Sequence, residues 1–255
     1  MRQRTRDLRI EIAERPYVPV TVNDSGPYPF LLDTGTLGLS LSADVARALG
    51  LKTEDGWTTL DSLAIGTSRW PDVGLGVGDN SALSSLLGRP VAGVLGSRFL
   101  AGARLAVTID YPRQTLSLEE IAEGAGPRPS AIPLRMASHY PLVPVRLNRT
   151  GPYLFLLDTG AATCVVSPGV ARSLDLPIGE RGTARGAAAD LESYHSVLPL
   201  LAVGNKRAGD LGITVMDCAT VSEYAGTQVD GYLGHSFLSR FTVTLDYPRQ
   251  ALVLE

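Results

Sequence analysis

"PFLLDTGTLGLS", from Pro29 to Ser40, is the stretch whose reading decides the fold. An apolar run ends abruptly on an acid, and a Thr-Gly turn follows. An ionised carboxylate at the inner end of a hydrophobic strand is costly, because losing water disfavours the charge. One Asp-Thr-Gly on its own is ordinary turn material. Here it occurs twice: "LFLLDTGAATCVVS", from Leu154 to Ser167, sets Asp158 in the place of Asp33, 125 residues further on.

The repetition spreads outward from these two acids. Gly26–Leu51 and Gly151–Leu176 are identical at 15 of 26 positions. "GVLGSRFL" (Gly93–Leu100) returns as "GYLGHSFL" (Gly231–Leu238). "VTIDYPRQTLSLE" (Val107–Glu119) returns as "VTLDYPRQALVLE" (Val243–Glu255), identical at 10 of 13 positions. Three matched blocks in the same order make the chain a tandem duplication. The Gly-, Pro- and Ala-rich stretch "EIAEGAGPRPSAIP" (Glu120–Pro133) reads as the linker, dividing the chain into 1–126 and 127–255.

Composition narrows the class. With 44% apolar and 19% charged residues in 255, a packed core is expected and disorder is not. Twenty-seven Gly and 17 Pro favour many turns and hence β structure. A net charge of −3 gives no electrostatic reason to expect nucleic acid. No apolar stretch is long enough to span a bilayer, and "MRQRTRDLRIEIAERP" lacks the apolar core of a signal peptide. Its arginines Arg2, Arg4, Arg6 and Arg9 read as a solvated strand. Cys164 and Cys218 have no metal-ligand spacing; they are either two buried thiols or a disulfide.

Each half follows one plan. An alternating segment such as "YVPVTVN" reads as a strand, and a Gly-Pro turn leads into the apolar strand that ends on Asp. A short strand and a helix follow, with Ser42 and Ser167 as N-caps and Pro168 at the first helical position. The whole reads as all-β with one or two short helices per half.

Duplicated units tend to pack about a pseudo-two-fold axis, where equivalent loops meet. Asp33 and Asp158 are then expected face to face. Two close carboxylates do not both ionise cheaply, so the pair shares a proton. The charged member can take a proton from water while the protonated one polarises a carbonyl, which is general acid–base catalysis. Gly35 and Gly160 allow a sharp turn with N–H groups aimed at the acids. Thr34 and Thr159 offer hydroxyls that can cross to the opposite loop. Thr36 adds a hydroxyl near Asp33 where the second half has Ala161, which favours Asp33 as the charged member.

On these motifs the chain resembles aspartic proteases of the retropepsin/pepsin superfamily, most of all bacterial retropepsin-like domains fused in tandem. The apolar-apolar-D-T-G triplets, "VLG" and "YLG" (Val94–Gly96, Tyr232–Gly234) and the trailing "DYPRQ" carry the resemblance over nearly the whole chain. It implies two homologous acid-protease β-barrel lobes and an interlobe sheet. It implies an aspartic endopeptidase acting on a peptide or protein substrate, with Asp33 and Asp158 as the catalytic pair, and no metal or cofactor. A monomer suffices, since one chain supplies both acids. Related proteins are often exported, which points to a periplasmic or secreted location. A peptide-binding or scaffolding module with little turnover is the alternative.

Members of this superfamily cover substrate with a hairpin flap after the first helix. Twenty-three residues separate Leu176 from "LLAVG" (Leu200–Gly204), but only 11 separate Leu51 from "LAIG" (Leu63–Gly66). One flap is therefore expected, from the second half, with Arg185, Gly186, Ala187 and Ala188 at its tip. The first half has room only for a stub around Asp55-Gly56-Trp57.

Overall fold

The apolar run before each aspartate becomes the central strand of its half. In the computed structural model, which describes residues 3–185 and 190–255, Ser25–Asp33 lies between antiparallel Pro16–Val22 and parallel Gly93–Gly96. Thr150–Leu157 lies likewise between Tyr140–Leu147 and Gly231–Leu233. Both faces of these strands are covered. Phe30 and Leu32 enter the main core while Leu31 joins a separate cluster; Phe155 and Leu157 divide from Leu156 in the same way. Burial on both faces is why the run is continuously apolar rather than alternating.

The described residues form three sheets. A seven-stranded sheet belongs to the first half and an eight-stranded sheet to the second. Each curls back on itself: Pro16–Val22 also pairs with Trp57–Ile65, and Tyr140–Leu147 with Asp190–Val203. The result is two barrel-like lobes in which closure removes most open edges.

The third sheet joins the lobes. Its six strands run Arg4–Arg9, Thr115–Glu120, Leu105–Asp110, Thr242–Asp246, Ala251–Leu254 and Ile132–Pro133. At its centre Thr108 pairs with Thr244, and their hydroxyls are 2.9 Å apart. These two threonines are equivalent in the repeat, so the pseudo-two-fold axis passes between them. The expected division at 126/127 falls in the stretch between Thr115–Glu120 and Ile132–Pro133.

The "DYPRQ" block is a turn closed by its own ion pair. Asp110 accepts from Arg113 N at 2.9 Å and from its guanidinium at 3.2 Å. Asp246 accepts from Arg249 N at 3.2 Å and from its guanidinium at 2.7 Å, with Arg128 of the linker at 3.6 Å.

Among the described residues each half carries three short helices, more than the one or two expected. Ser42 caps Ala43–Ala48 by accepting from Val45 N at 3.3 Å, and Ser167 caps Pro168–Ser173 by accepting from Val170 N at 3.5 Å. Ser81–Leu87 and Ala219–Ala225 form the second pair. The extra ones are Ser97–Gly102 and His235–Leu238. Their first N–H groups, Ser97 N and His235 N, bond to Thr36 O and Ala161 O at 2.8 Å, which turns an apolar run that could have continued as a strand. No helix among the described residues is long and apolar enough to cross a membrane.

Asp246 is fully buried, whereas Asp110 retains 12% of its side-chain exposure and has one arginine. Asp246→Ala would strand Arg249 and Arg128 over the interlobe sheet. It is expected to lower unfolding free energy by about 3 kcal/mol, and Asp110→Ala by about half that; denaturant titration of the two variants checks the order.

Candidate active site

Asp33 and Asp158 end their strands at the pseudo-two-fold axis, and the loops that follow are locked to each other. Thr34 Oγ1 donates to Leu157 O at 2.6 Å and accepts from Thr159 N at 3.1 Å. Thr159 Oγ1 donates to Leu32 O at 2.6 Å and accepts from Thr34 N at 3.1 Å. Both threonines are fully buried. A hydroxyl is needed at each because only it can donate and accept at once.

The glycines set how closely the acids approach. Gly35 N donates to Asp33 Oδ1 at 2.9 Å, and Gly160 N to Asp158 Oδ1 at 2.8 Å. A Cβ on Gly35 would stand 2.5 Å from the Asp158 carboxyl, and one on Gly160 2.5 Å from Asp33 Oδ1. Each carboxyl therefore lies over the opposite glycine, and the two interact directly. Gly96 and Gly234 play a supporting part: each packs against the backbone just beyond an Asp-Thr-Gly, where a side chain has no space.

Each acid is ringed by protein atoms yet is only partly closed off from solvent as a residue. Burial pushes the Asp33 carboxyl above the usual carboxylate range, against the pull of the Thr36 hydroxyl (3.0 Å to Oδ2) and the Gly35 N–H. Asp158 is pushed well above it, first by burial and then by the charge of Asp33. Ala161 in the place of Thr36 has no hydroxyl to offer. The pair can hold one proton and one charge, with Asp33 the easier to ionise.

Two groups beside the dyad escaped the sequence reading. Arg15 Nε donates to Gly160 O at 2.6 Å. The only sign of it in the sequence is the 125-residue offset, which sets Arg15 opposite Tyr140. Tyr111 and Tyr247 of the "DYPRQ" blocks are the second group. Both are buried, and their hydroxyls find no hydrogen-bond partner among the described residues. The Tyr111 ring packs edge-on to His235, centroids 5.6 Å apart.

The stretch after the second lobe's first helix is a hairpin in which Arg181–Arg185 pairs with the start of Asp190–Val203, Arg185 opposite Asp190. Of the expected tip residues, Gly186, Ala187 and Ala188 lie outside the described residues. Ala184 and Leu191 of the hairpin pack on an apolar cluster with Tyr140, Met216 and Tyr232, joined there by Leu37 of the first lobe. In the first lobe the corresponding stretch is the short Glu54–Trp57 bridge, with paired N–H···O bonds of 2.9 and 2.8 Å.

Trp70 packs edge-on to Phe99 at 5.3 Å, while Trp57 is 62% exposed. His195 lies on the hairpin's return strand. Cys164 and Cys218 are free and buried. Among the described residues no three His, Cys, Asp or Glu side chains cluster as metal ligands would.

A family model described as aspartyl protease matches residues 18–99 and again 143–237. Among solved structures, an aspartic proteinase from Irpex lacteus covers 98% of this chain and 96% of its own at 14% identity and a TM-score of 0.54. A retropepsin-like aspartic protease from Rickettsia conorii covers 48% of this chain and 96% of its own at 21% identity and a TM-score of 0.35. None of the curated proteins compared matches the chain.

Thr34→Val would leave Leu157 O and Thr159 N buried without partners, and is expected to cost about 2–4 kcal/mol of stability, whereas Thr34→Ser keeps the hydroxyl and costs about 1 kcal/mol. The dyad also gives stability a pH dependence. With raised carboxyl pKa values the folded protein holds more protons than the unfolded chain above the ordinary carboxylate range, so stability falls as pH rises through that window. Asp158→Asn removes the larger share of the effect, leaving the burial-raised Asp33. It should melt higher than the wild type at pH 7, and the gap should close toward about pH 3, where both acids are protonated in either state.

Proposed function

The chain belongs to the aspartyl protease family, and on that premise we propose that it is an aspartic endopeptidase in which the Asp33/Asp158 dyad activates water against a peptide bond. The observation that carries the reading is the close approach of each carboxyl to the opposite Asp-Thr-Gly loop, fixed by the crossed Thr34 and Thr159 hydrogen bonds. Ionised Asp33 takes a proton from the bound water as its oxygen attacks the carbonyl carbon. Protonated Asp158 hydrogen-bonds the carbonyl oxygen and stabilises the tetrahedral intermediate. Proton return to the amide nitrogen then releases the amine, with no covalent enzyme intermediate.

The proposal includes a single flap, the hairpin of the second lobe, closing over substrate. Its support is the shared apolar cluster, since Ala184 and Leu191 pack on the residues that also receive Leu37, four positions after Asp33. Residues 1–126 and 127–255 act as the two halves of a pseudo-dimer, so that one copy of the chain completes the site.

Cleavage of a peptide library between about pH 3 and 7 tests the reading, because that range starts below the ordinary carboxylate values and runs upward, the direction in which both acids are shifted. Asp33→Asn should lower turnover by about a thousandfold or more with the fold retained. Deleting Gly182–Ala189 should lower kcat/KM about tenfold by leaving the bound peptide open to water. An Asp33→Asn protein as active as the wild type overturns the dyad, and an unaffected deletion overturns the flap.

A further inference from the structure

We infer that Arg15 is a positioning residue of the dyad: from the first lobe it clamps the second aspartate loop and stabilises the pair's single negative charge. The inference rests on the reading of Asp33 and Asp158 as a catalytic pair.

Arg15 sits in the turn between Glu11–Ile12 and Pro16–Val22, held extended by the proline that follows it. That turn is anchored to its own lobe. Arg89 grips Glu11 with both guanidinium ends, 2.6 Å for one of them, and its plane lies 3.9 Å over the Tyr17 ring. From this fixed base Arg15 reaches across 145 residues of sequence to Gly160 O. The acceptor matters. Gly160 holds the Asp158 carboxyl through its own N–H, and its carbonyl belongs to the peptide whose N–H, on Ala161, donates to the Asp158 backbone carbonyl at 3.4 Å. A cation on that oxygen fixes the loop beside the acid pair.

The charge also acts directly on Asp33, where it favours ionisation. It is poorly cancelled. Its nearest acid, Glu14, is 3.8 Å away and 72% exposed, while the Arg15 side chain is only 21% exposed. The other groups facing the pair are phenols that burial keeps neutral, Tyr111 and Tyr247 from the interlobe sheet and Tyr140 and Tyr232 from the second lobe. Beside Arg15, the His235 ring has its pKa lowered by burial, and Arg98 lies beyond Tyr140.

The equivalent position in the second lobe holds Tyr140, so a site that is two-fold at its carboxyls carries one arginine rather than two. Thr36 breaks the symmetry in the same sense, since its hydroxyl bonds Asp33 and Ala161 offers Asp158 nothing comparable. Both departures from the repeat stabilise the ionised form of the pair.

The test compares Arg15→Met, which keeps length without charge, with Arg15→Lys, which keeps the charge. The dyad is titrated by carbon-13 NMR of the aspartate carboxyls, which needs no activity, and in parallel through the pH dependence of kcat/KM. In Arg15→Met the first ionisation and the acid limb should both rise by about half a pH unit, a threefold loss of rate on that limb. Arg15→Lys should stay within about 0.2 unit of the wild type, as retained charge requires. A folded Arg15→Met with an unmoved titration overturns the inference, and so does a Lys variant displaced as far as the Met one. If Arg15→Met does not fold, the Lys variant decides alone, by holding the wild-type titration or losing it. A shifted titration in a protein that cleaves no peptide leaves Arg15 in its place and removes the proposed function instead.

Discussion

Two buried hydroxyls hold the two lobes in register. Thr34 and Thr159 each donate to one strand and accept from the opposite loop, and neither arrangement is possible unless the other is made. Each such bond is worth only about 1 kcal/mol net, but a buried partner left unmatched costs more than the bond contributes. Their force is therefore exclusion: a displaced lobe would break four hydrogen bonds and strand six polar groups at once. The interlobe sheet meets the same condition at its centre, where Thr108 and Thr244 share a hydrogen bond on the same axis. Between these two threonine pairs the relative placement of the lobes is determined.

The carboxyls take their properties from that placement. Two acids pressed over each other's glycines are driven toward sharing a proton, and burial raises both. Stability is given up at neutral pH to hold them there, which sets the dyad apart from the ion pairs of the "DYPRQ" turns. Around the symmetric pair, three features that tune it are one-sided. The Thr36 hydroxyl, the Arg15 guanidinium and the long hairpin each occur in one lobe only. The repeat supplies two equivalent acids, and a few positions that differ between its halves make their surroundings unequal.

How far the sequence could be read depended on the range of each interaction. The apolar run "PFLL", the caps at Ser42 and Ser167 and the turn chemistry of Gly-Pro are local, and each was legible from a few neighbouring residues. The helices at Ser97–Gly102 and His235–Leu238 were not, because they begin where an N–H bonds a carbonyl more than sixty residues away. Arg15 was hidden for the same reason. In the sequence it closes a charged N-terminal stretch, and only its contact with Gly160 distinguishes it from the solvated arginines before it. The unpartnered phenols of Tyr111 and Tyr247 were equally silent, since a strand-end tyrosine carries no sign of where its ring will point.

By itself, then, the sequence determined the duplication, the family likeness and the identity of the two acids, because a repeated pattern survives as identical letters at a constant offset. It also determined that only one half has the length for a hairpin. What the tertiary structure decided is how those acids are held and how they differ: the crossed threonines, the glycine gaps that let the carboxyls overlap, and the arginine that arrives from the other lobe. These depend on distances between residues more than a hundred positions apart, and such distances exist only once both barrels have closed and the shared sheet has fixed their axis.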